Sequence, residues 1–288
     1  DDVYAALHAV RLAIRERNAA GGAAGRQVAL VALNDNGRPD EARQQAATLG
    51  VDRDVLGVIG PLHGDTAVAA GPVLAAEGLP WIALGSLASA QQPAGFALEV
   101  EPARLASQAS ETLAKQGVSG PVALVGEATL APSDLAGVIW LGDAAGGATL
   151  ARSLEPGTAL IGGPELGSPV FAGRAGAAAE GVSWLSAGPG AASLPDEFVA
   201  AYRSLAGVPP SPQAVLAYDA ANLLMDALDR AGRQSRGLTR AAVLQALAEL
   251  GGAGWQGLSG PVIWQRDACP AAQPCWPRLD PNVTTHRW

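Results

Sequence analysis

The stretch "GVIGPLHGDTAVAAGP", residues 57–72, passes from an apolar run through a glycine- and proline-bearing corner into an Asp-Thr pair and an alanine-rich segment. A short apolar run closed by glycine reads as a strand buried on both faces, and the residues after the corner as a helix from about Thr66 to Glu77. The next apolar run, "LPWIALG" at 79–85, supplies a second strand, so strand, helix and strand make a parallel βαβ unit. The corner at 62–66, "LHGDT", then lies at the carboxyl end of a parallel strand, where open α/β sheets bind their ligands. Backbone amides at a helix start, together with the positive end of the helix dipole, favour a carboxylate or another anionic or carbonyl oxygen there. Gly64 permits close approach.

Outward from this unit the same alternation continues. Val3, Leu7, Val10 and Ile14 repeat at helical spacing and the segment stops at glycines; "RQVALVAL" at 26–33 is a continuous apolar run that predicts a buried strand. Pro39 and the acidic residues after it suit the start of a helix through "EARQQAATL", and "DVLGVIG" at 54–60 is the next predicted strand. A loop follows at 86–95, then a polar helix around 103–117. From "GPVALVGE" at 120–127 the pattern restarts with strands at 137–143, 158–165 and 181–188, and helices at 148–154 and 168–176. Three helical segments follow, at 194–207, 211–232 and 238–250, then a strand in "SGPVIWQRD" at 259–267 and a loop-like end.

Connectivity leaves two openings in this scheme. A parallel neighbour needs a crossover of about a dozen residues or more, usually helical. Only "EATLAPSDLA", residues 127–136, separates the first two strands of the second series. The first helix likewise lacks the strand that should feed it. Segments before Asp1 and near Glu127 are therefore expected to be missing.

Bulk composition narrows the function. With 27 acidic against 19 basic residues the net charge is −8, and no arginine cluster interleaved with aromatics appears, which excludes nucleic acid as a partner. No apolar run reaches the roughly 18 residues of a membrane span. There is no G-x-x-x-x-G-K for a phosphate loop, and the single lysine, Lys115, sits in a polar helical pattern that does not suit a Schiff base. His8, His63 and His286 are scattered and leave a metal without a framework; no cofactor is implied. Cys269 and Cys275, in the proline-rich "DACPAAQPCWP", fit a local disulfide of an oxidising compartment, with two free thiols as the alternative.

Five segments carry a family resemblance: "AIRERNAAGGAAGRQVALVALNDN", "GVIGPLHGDTAVAAGPVLAAEGLPWIALGS", "LIGGPELGSPVFAGRAGAAAEGVSW", "DEFVAAYRSLAG" and "AYDAANLLMDALDRAG". In order and spacing they resemble the type I periplasmic solute-binding proteins, in particular the Leu/Ile/Val-binding group that serves ABC importers. The resemblance implies an α/β fold of two doubly wound, Rossmann-like lobes joined by three crossovers, near residues 104, 212 and 262. Lobe one then comprises 1–104 plus 212–262, and lobe two, shortened near 127–136, comprises 105–211 plus 263–288. It also implies an opening strand and a longer start to lobe two, the two openings noted above. The location is periplasmic or extracellular, with anchoring to a membrane by a segment before Asp1 as one form. The implied partners are a small-molecule solute and the membrane subunits of an importer.

On that scheme the candidate ligand-binding residues are His63, Gly64, Asp65 and Thr66 at the first corner, and Gly85, Ser86 and Leu87 ending the neighbouring strand. From lobe two, Asp143 and Glu165 stand just after strand-like runs, and "GPE" matches the family segment whose glutamate takes a ligand ammonium. Each has a plainer role beside it. Asp65 before Thr66 fits an N-cap, His63 a loop position and Glu165 a solvated charge. Trp140 and Trp184 read as core aromatics, with Trp140 near enough to its strand end to wall a cleft. Two departures bear on the ligand. Gly64 and Leu87 stand where amino-acid-binding relatives place hydroxyls, and Asp143-Ala144 replaces an aromatic, so a leucine-like specificity does not follow and another small polar or amide-bearing solute competes. Catalytic patterns such as H-E-x-x-H and G-x-S-x-G are absent. The rival readings are a ligand-sensing domain and a nucleotide-dependent oxidoreductase, the latter resting on the partial glycine pattern "GPGAAS" at 188–193.

Overall fold

The computed structural model describes residues 2–62, 64–84, 95–98, 102–126, 134–187, 193–234, 237–262 and 283–288. In chain order the helices are α1 (Asp2–Ala19), α2 (Pro39–Val51), α3 (Gly64–Ala76), α4 (Pro102–Lys115), α5 (Ala144–Ser153), α6 (Pro169–Ala175), α7 (Asp196–Ala206), α8 (Pro212–Gln234) and α9 (Arg240–Ala253). The strands are β1 (Val58–Ile59), β2 (Trp81–Ala83), β3 (Gly95–Ala97), β4 (Val122–Val125), β5 (Gly137–Trp140), β6 (Ala159–Gly162), β7 (Ser183–Ala187), β8 (Trp255–Gly257), β9 (Gly260–Val262) and β10 (Val283–Arg287).

These elements divide into two compact units, Asp2–Glu99 with Gly188–Pro281, and Val100–Ala187 with Asn282–Trp288. The chain passes into the second unit at Val100. The return differs: the second unit gives way at Ala187 rather than near 212, because α7 packs with the first unit. The Tyr202 hydroxyl donates to Ala5 O of α1 at 3.1 Å, and Phe198 meets Tyr218 of α8 edge-on at 4.8 Å between ring centroids.

In the first unit β1, β2 and β3 form a parallel sheet in that order. All three residues of β2 are buried, as a central strand covered on both faces requires. α1 and α8 pack together through Ala9, Leu12 and Ala13 of α1 and through Ala217, Ala220 and Leu223 of α8, all with no exposed surface. Arg17 fastens the pair by bonding to both Asp226 and Asp229. Asp219, buried in α8, accepts from Leu258 N at 2.9 Å, Ser259 N at 2.7 Å and Ser259 Oγ at 2.5 Å, which ties down the β8–β9 hairpin. Burial pushes its carboxyl up, and the Ser259 and Leu258 donors oppose that shift.

Two sequence expectations fail in this unit. The run 26–33, expected as a buried strand, belongs to no described sheet: Leu30, Val31 and Leu33 are 40%, 54% and 41% exposed. Asn18 holds its start, accepting from Val28 N at 2.8 Å and donating to Val28 O at 2.9 Å. No described strand runs alongside it, so apolar composition alone produces neither ladder nor burial. For the same reason β1, at the edge of its sheet, is half-buried and only two residues long. Strand β3 and the β8 arm of the hairpin are additions that the sequence pattern did not show.

In the second unit β4 to β7 run parallel, and β10 closes the sheet antiparallel to β7, giving the order β10-β7-β6-β5-β4. The final residues are thus a strand rather than a loop. β5 is buried throughout, while Val122 and Leu124 of β4 are exposed at the sheet edge. Leu105, Ala109, Thr112 and Leu113 are the buried residues of α4, at helical spacing along one face. The other core layer gathers Trp140, Ala148, Leu150, Leu166 and Phe171 from β5, α5, the 3-10 turn at Pro164–Gly167 and α6.

Candidate functional site

In the first unit the chain turns after β1 and enters α3. Gly60 takes φ +106°, a conformation that side-chain-bearing residues rarely adopt, and this turns the chain out of β1 toward α3. The corner is tied to the neighbouring strand: Gly60 N donates to Ile82 O at 2.7 Å and Leu84 N to Pro61 O at 3.4 Å. α3 therefore starts at the carboxyl end of the parallel sheet, where its first amides lack intrahelical acceptors and its dipole is positive.

The predicted residues at this corner separate by position. Gly64 opens the helix and is half-buried, Asp65 is exposed in its first turn, and Thr66 is fully buried. Asp65 thus stands inside the helix rather than capping it. A carboxylate in a first turn interacts favourably with the dipole. His63, Gly85, Ser86 and Leu87 lie outside the described residues, as do Cys269, Cys275 and Gly188–Gly190 of the partial glycine pattern.

One residue at this end escaped the sequence reading. Gln213, in the first turn of α8, donates through Nε2 to Leu84 O at 3.0 Å, so a second helix start reaches the end of β2. Ser211 accepts from Ala214 N at 3.2 Å and Pro212 opens the helix, so the "SPQ" of 211–213 was the available signal.

In the second unit Asp143 and Glu165 follow adjacent parallel strands. Trp140 of β5 is opposite Gly162 of β6, and Gly163 N donates to Trp140 O at 3.1 Å, so both acidic loops leave the same end of the sheet. Asp143 caps α5, one carboxylate oxygen accepting from Gly146 N at 2.6 Å, and it is exposed. Glu165 is also exposed, on the 3-10 turn; its carbonyl accepts from Ser168 Oγ at 2.8 Å. Trp140 is 1% exposed and its indole donates to Asp143 O at 2.8 Å, so it is the floor of this loop and a core residue rather than a cleft wall. Trp184 packs against the same core and stacks on His286.

Each unit therefore presents one set of strand-end loops, with a positive helix pole in the first and a pair of carboxylates in the second. Among the described residues no group of three or more His, Cys, Asp or Glu is placed to hold a metal ion.

A family model described as periplasmic binding protein matches residues 4–159 and 136–277. The chain belongs to the periplasmic binding protein family. Its fold is the type I architecture, and solved structures agree. The branched-chain amino acid transporter substrate-binding protein LivJ of Streptococcus pneumoniae, in complex with isoleucine, is 18% identical with a TM-score of 0.78, over 99% of this chain and 91% of that one. An ABC transporter substrate-binding protein of Desulfitobacterium hafniense complexed with Leu is 20% identical with a TM-score of 0.77, over 98% and 92%. A solute-binding protein of an ABC transporter from R. palustris, in complex with benzoate, is 18% identical with a TM-score of 0.71, over 99% and 88%. No curated protein sequence matches the chain. These relatives are substrate-binding proteins of transporters, not enzymes, and the family works outside the cytoplasm. No described helix is long and apolar enough to cross a membrane.

Proposed function

We propose that the protein captures a small carboxylate-bearing solute and delivers it to an ABC importer. The observation that carries this reading is, in the first unit, a helix start at the end of β1 suited to an anionic oxygen; the second unit, taken by itself, presents Asp143 and Glu165 on adjacent strand-end loops suited to a cationic or amide N–H group. Isoleucine, leucine and benzoate, the ligands of the three relatives above, share only a carboxylate with an apolar body. The α3 corner suits that shared group, and Asp143 and Glu165 suit an ammonium.

The first test is calorimetric: Glu165→Gln weakens binding of an ammonium-bearing amino acid by about tenfold, the share of one charge-assisted hydrogen bond. Unchanged affinity removes Glu165 from the site. A thermal shift with a dinucleotide and none with any carboxylate would replace this reading with the oxidoreductase.

A further inference from the structure

The turn that carries Glu165 is too short to hold itself, since a 3-10 segment of four residues has few internal bonds. Residues distant in sequence hold it instead. β10 pairs antiparallel with β7 from Val283↔Ala187 to Arg287↔Ser183, and Trp288 N extends the ladder by donating to Val182 O at 3.1 Å. The Trp288 indole then turns to the 3-10 segment, and its Nε1 donates to Leu166 O at 2.7 Å, the carbonyl directly after Glu165.

A second support comes from β7. Trp184 lies against Gly167, so closely that a Cβ there would fall 2.6 Å from the indole ring. The ring is itself fixed by His286, its partner in the strand register, which stacks on it at 4.0 Å and 15°. His286 Nε2 lies 2.9 Å from Ser186 Oγ, which orients the imidazole. Leu166, fully buried, anchors the turn between these two contacts.

We infer that Trp288 and the Trp184–His286 stack are positioning residues for Glu165, so that the last strand of the chain sets how well the protein distinguishes a solute with an ammonium group from one without. The inference rests on the reading of Glu165 given above. A carboxylate recognises an ammonium only if its backbone is held in place before the ligand arrives, and looseness of about an ångström forfeits the bond. The Trp288 indole N–H fixes the carbonyl of Leu166, the residue after Glu165, and the Trp184 ring fixes the α-carbon two residues after it.

The experiment uses Trp288→Phe, which keeps a ring and loses the donor. The first measurement is backbone amide exchange on the ligand-free chain. Protection of residues 165–168 falls about tenfold while β4, β5 and β6 keep theirs. Unchanged protection at 165–168 overturns the inference, and so does loss of protection across the whole sheet, which would make Trp288 a general structural residue.

The second measurement is calorimetry with L-leucine and with 4-methylpentanoate, which has the same carbon skeleton and carboxylate but no ammonium. Trp288→Phe weakens L-leucine by about tenfold and 4-methylpentanoate by less than about twofold, and adds nothing to Glu165→Gln in the double variant. Equal losses for the two probes overturn the inference. If the wild-type chain binds neither probe, the ligand reading of Glu165 fails and takes the selectivity claim with it. Exchange at 165–168 decides separately whether Trp288 holds the turn.

Discussion

Arg240, at the start of α9, shows how much a single side chain carries in this protein. Its guanidinium donates to Val55 O at 2.9 Å, Gly50 O at 3.0 Å, Glu77 O at 3.0 Å and Asp52 O at 2.5 Å. Gly50 lies in the last turn of α2, Asp52 and Val55 follow that helix and Glu77 follows α3, so one planar cation ties the ends of both helices to the chain leading into β1. Arg240→Ala should lower stability by about 2 kcal/mol or more, because several carbonyls lose a charged donor together. Arg240→Lys should recover only part of it, since an ammonium lacks the fork. Urea unfolding checks this through a lower midpoint at unchanged slope; a midpoint equal to wild type would show that water serves those carbonyls equally well. The sequence offered no sign of this role, because "LTRAAV" reads only as a helix start. By contrast the positions of Asp143 and Glu165 just past the ends of β5 and β6 were legible, because each follows an apolar run closed by glycine.

At the scale of elements, the helices, the central strands and the edge strands β1 and β4 followed from the sequence pattern, whereas the edge strands β3 and β10 did not. α4 and β5 match the sequence pattern because the one apolar face of α4 and both faces of β5 meet partners, so composition and burial coincide. The run 26–33 has strand composition without a strand's neighbours. There Val31→Thr should change stability by less than about 0.5 kcal/mol, as for a surface site. A loss above about 1.5 kcal/mol in denaturant unfolding would mean that the run is buried after all. β10 was missed for the opposite reason: its polar sequence, "VTTHR", becomes a strand through pairing with β7.

The β10–β7 contact also gives the protein a pH dependence. Burial lowers the His286 pKa below its ordinary value of about 6.5. The unfolded chain then binds the proton more readily than the folded one, so the stability contributed by neutral His286 is complete above pH 6.5. It is lost as the pH falls from there toward the lowered folded value. The charged side chains on the packed elements are Arg287 of β10 itself, Glu165 and Arg174 on the α6 side, and Arg104, Glu111 and Lys115 of α4; burial is the cause of the shift. Thermal unfolding between pH 7.5 and 5 should show a decline that is smaller in His286→Gln. Identical pH profiles for the two proteins would refute this assignment.

For the molecule as a whole, the two-unit organisation was readable from the restart of the strand–helix alternation at residue 120. The chain's return was not, because nothing in "DEFVAAYRSLAG" says which unit its aromatic face meets. Tyr202 and Phe198 meet α1 and α8, and this decides that α7 belongs with the first unit. Ligand identity was the least legible, since the corner proposed for it offers backbone amides, and backbone groups leave no residue signature. The most direct measurement is a thermal-shift series pairing amino acids and aromatic acids with their methyl esters. At about a hundredfold excess over its dissociation constant, a true ligand adds about 2.7 kcal/mol to stability. At least one free carboxylate should raise the melting temperature while its ester does not; equal shifts for acid and ester, or a shift with no carboxylate in the series, would contradict the account.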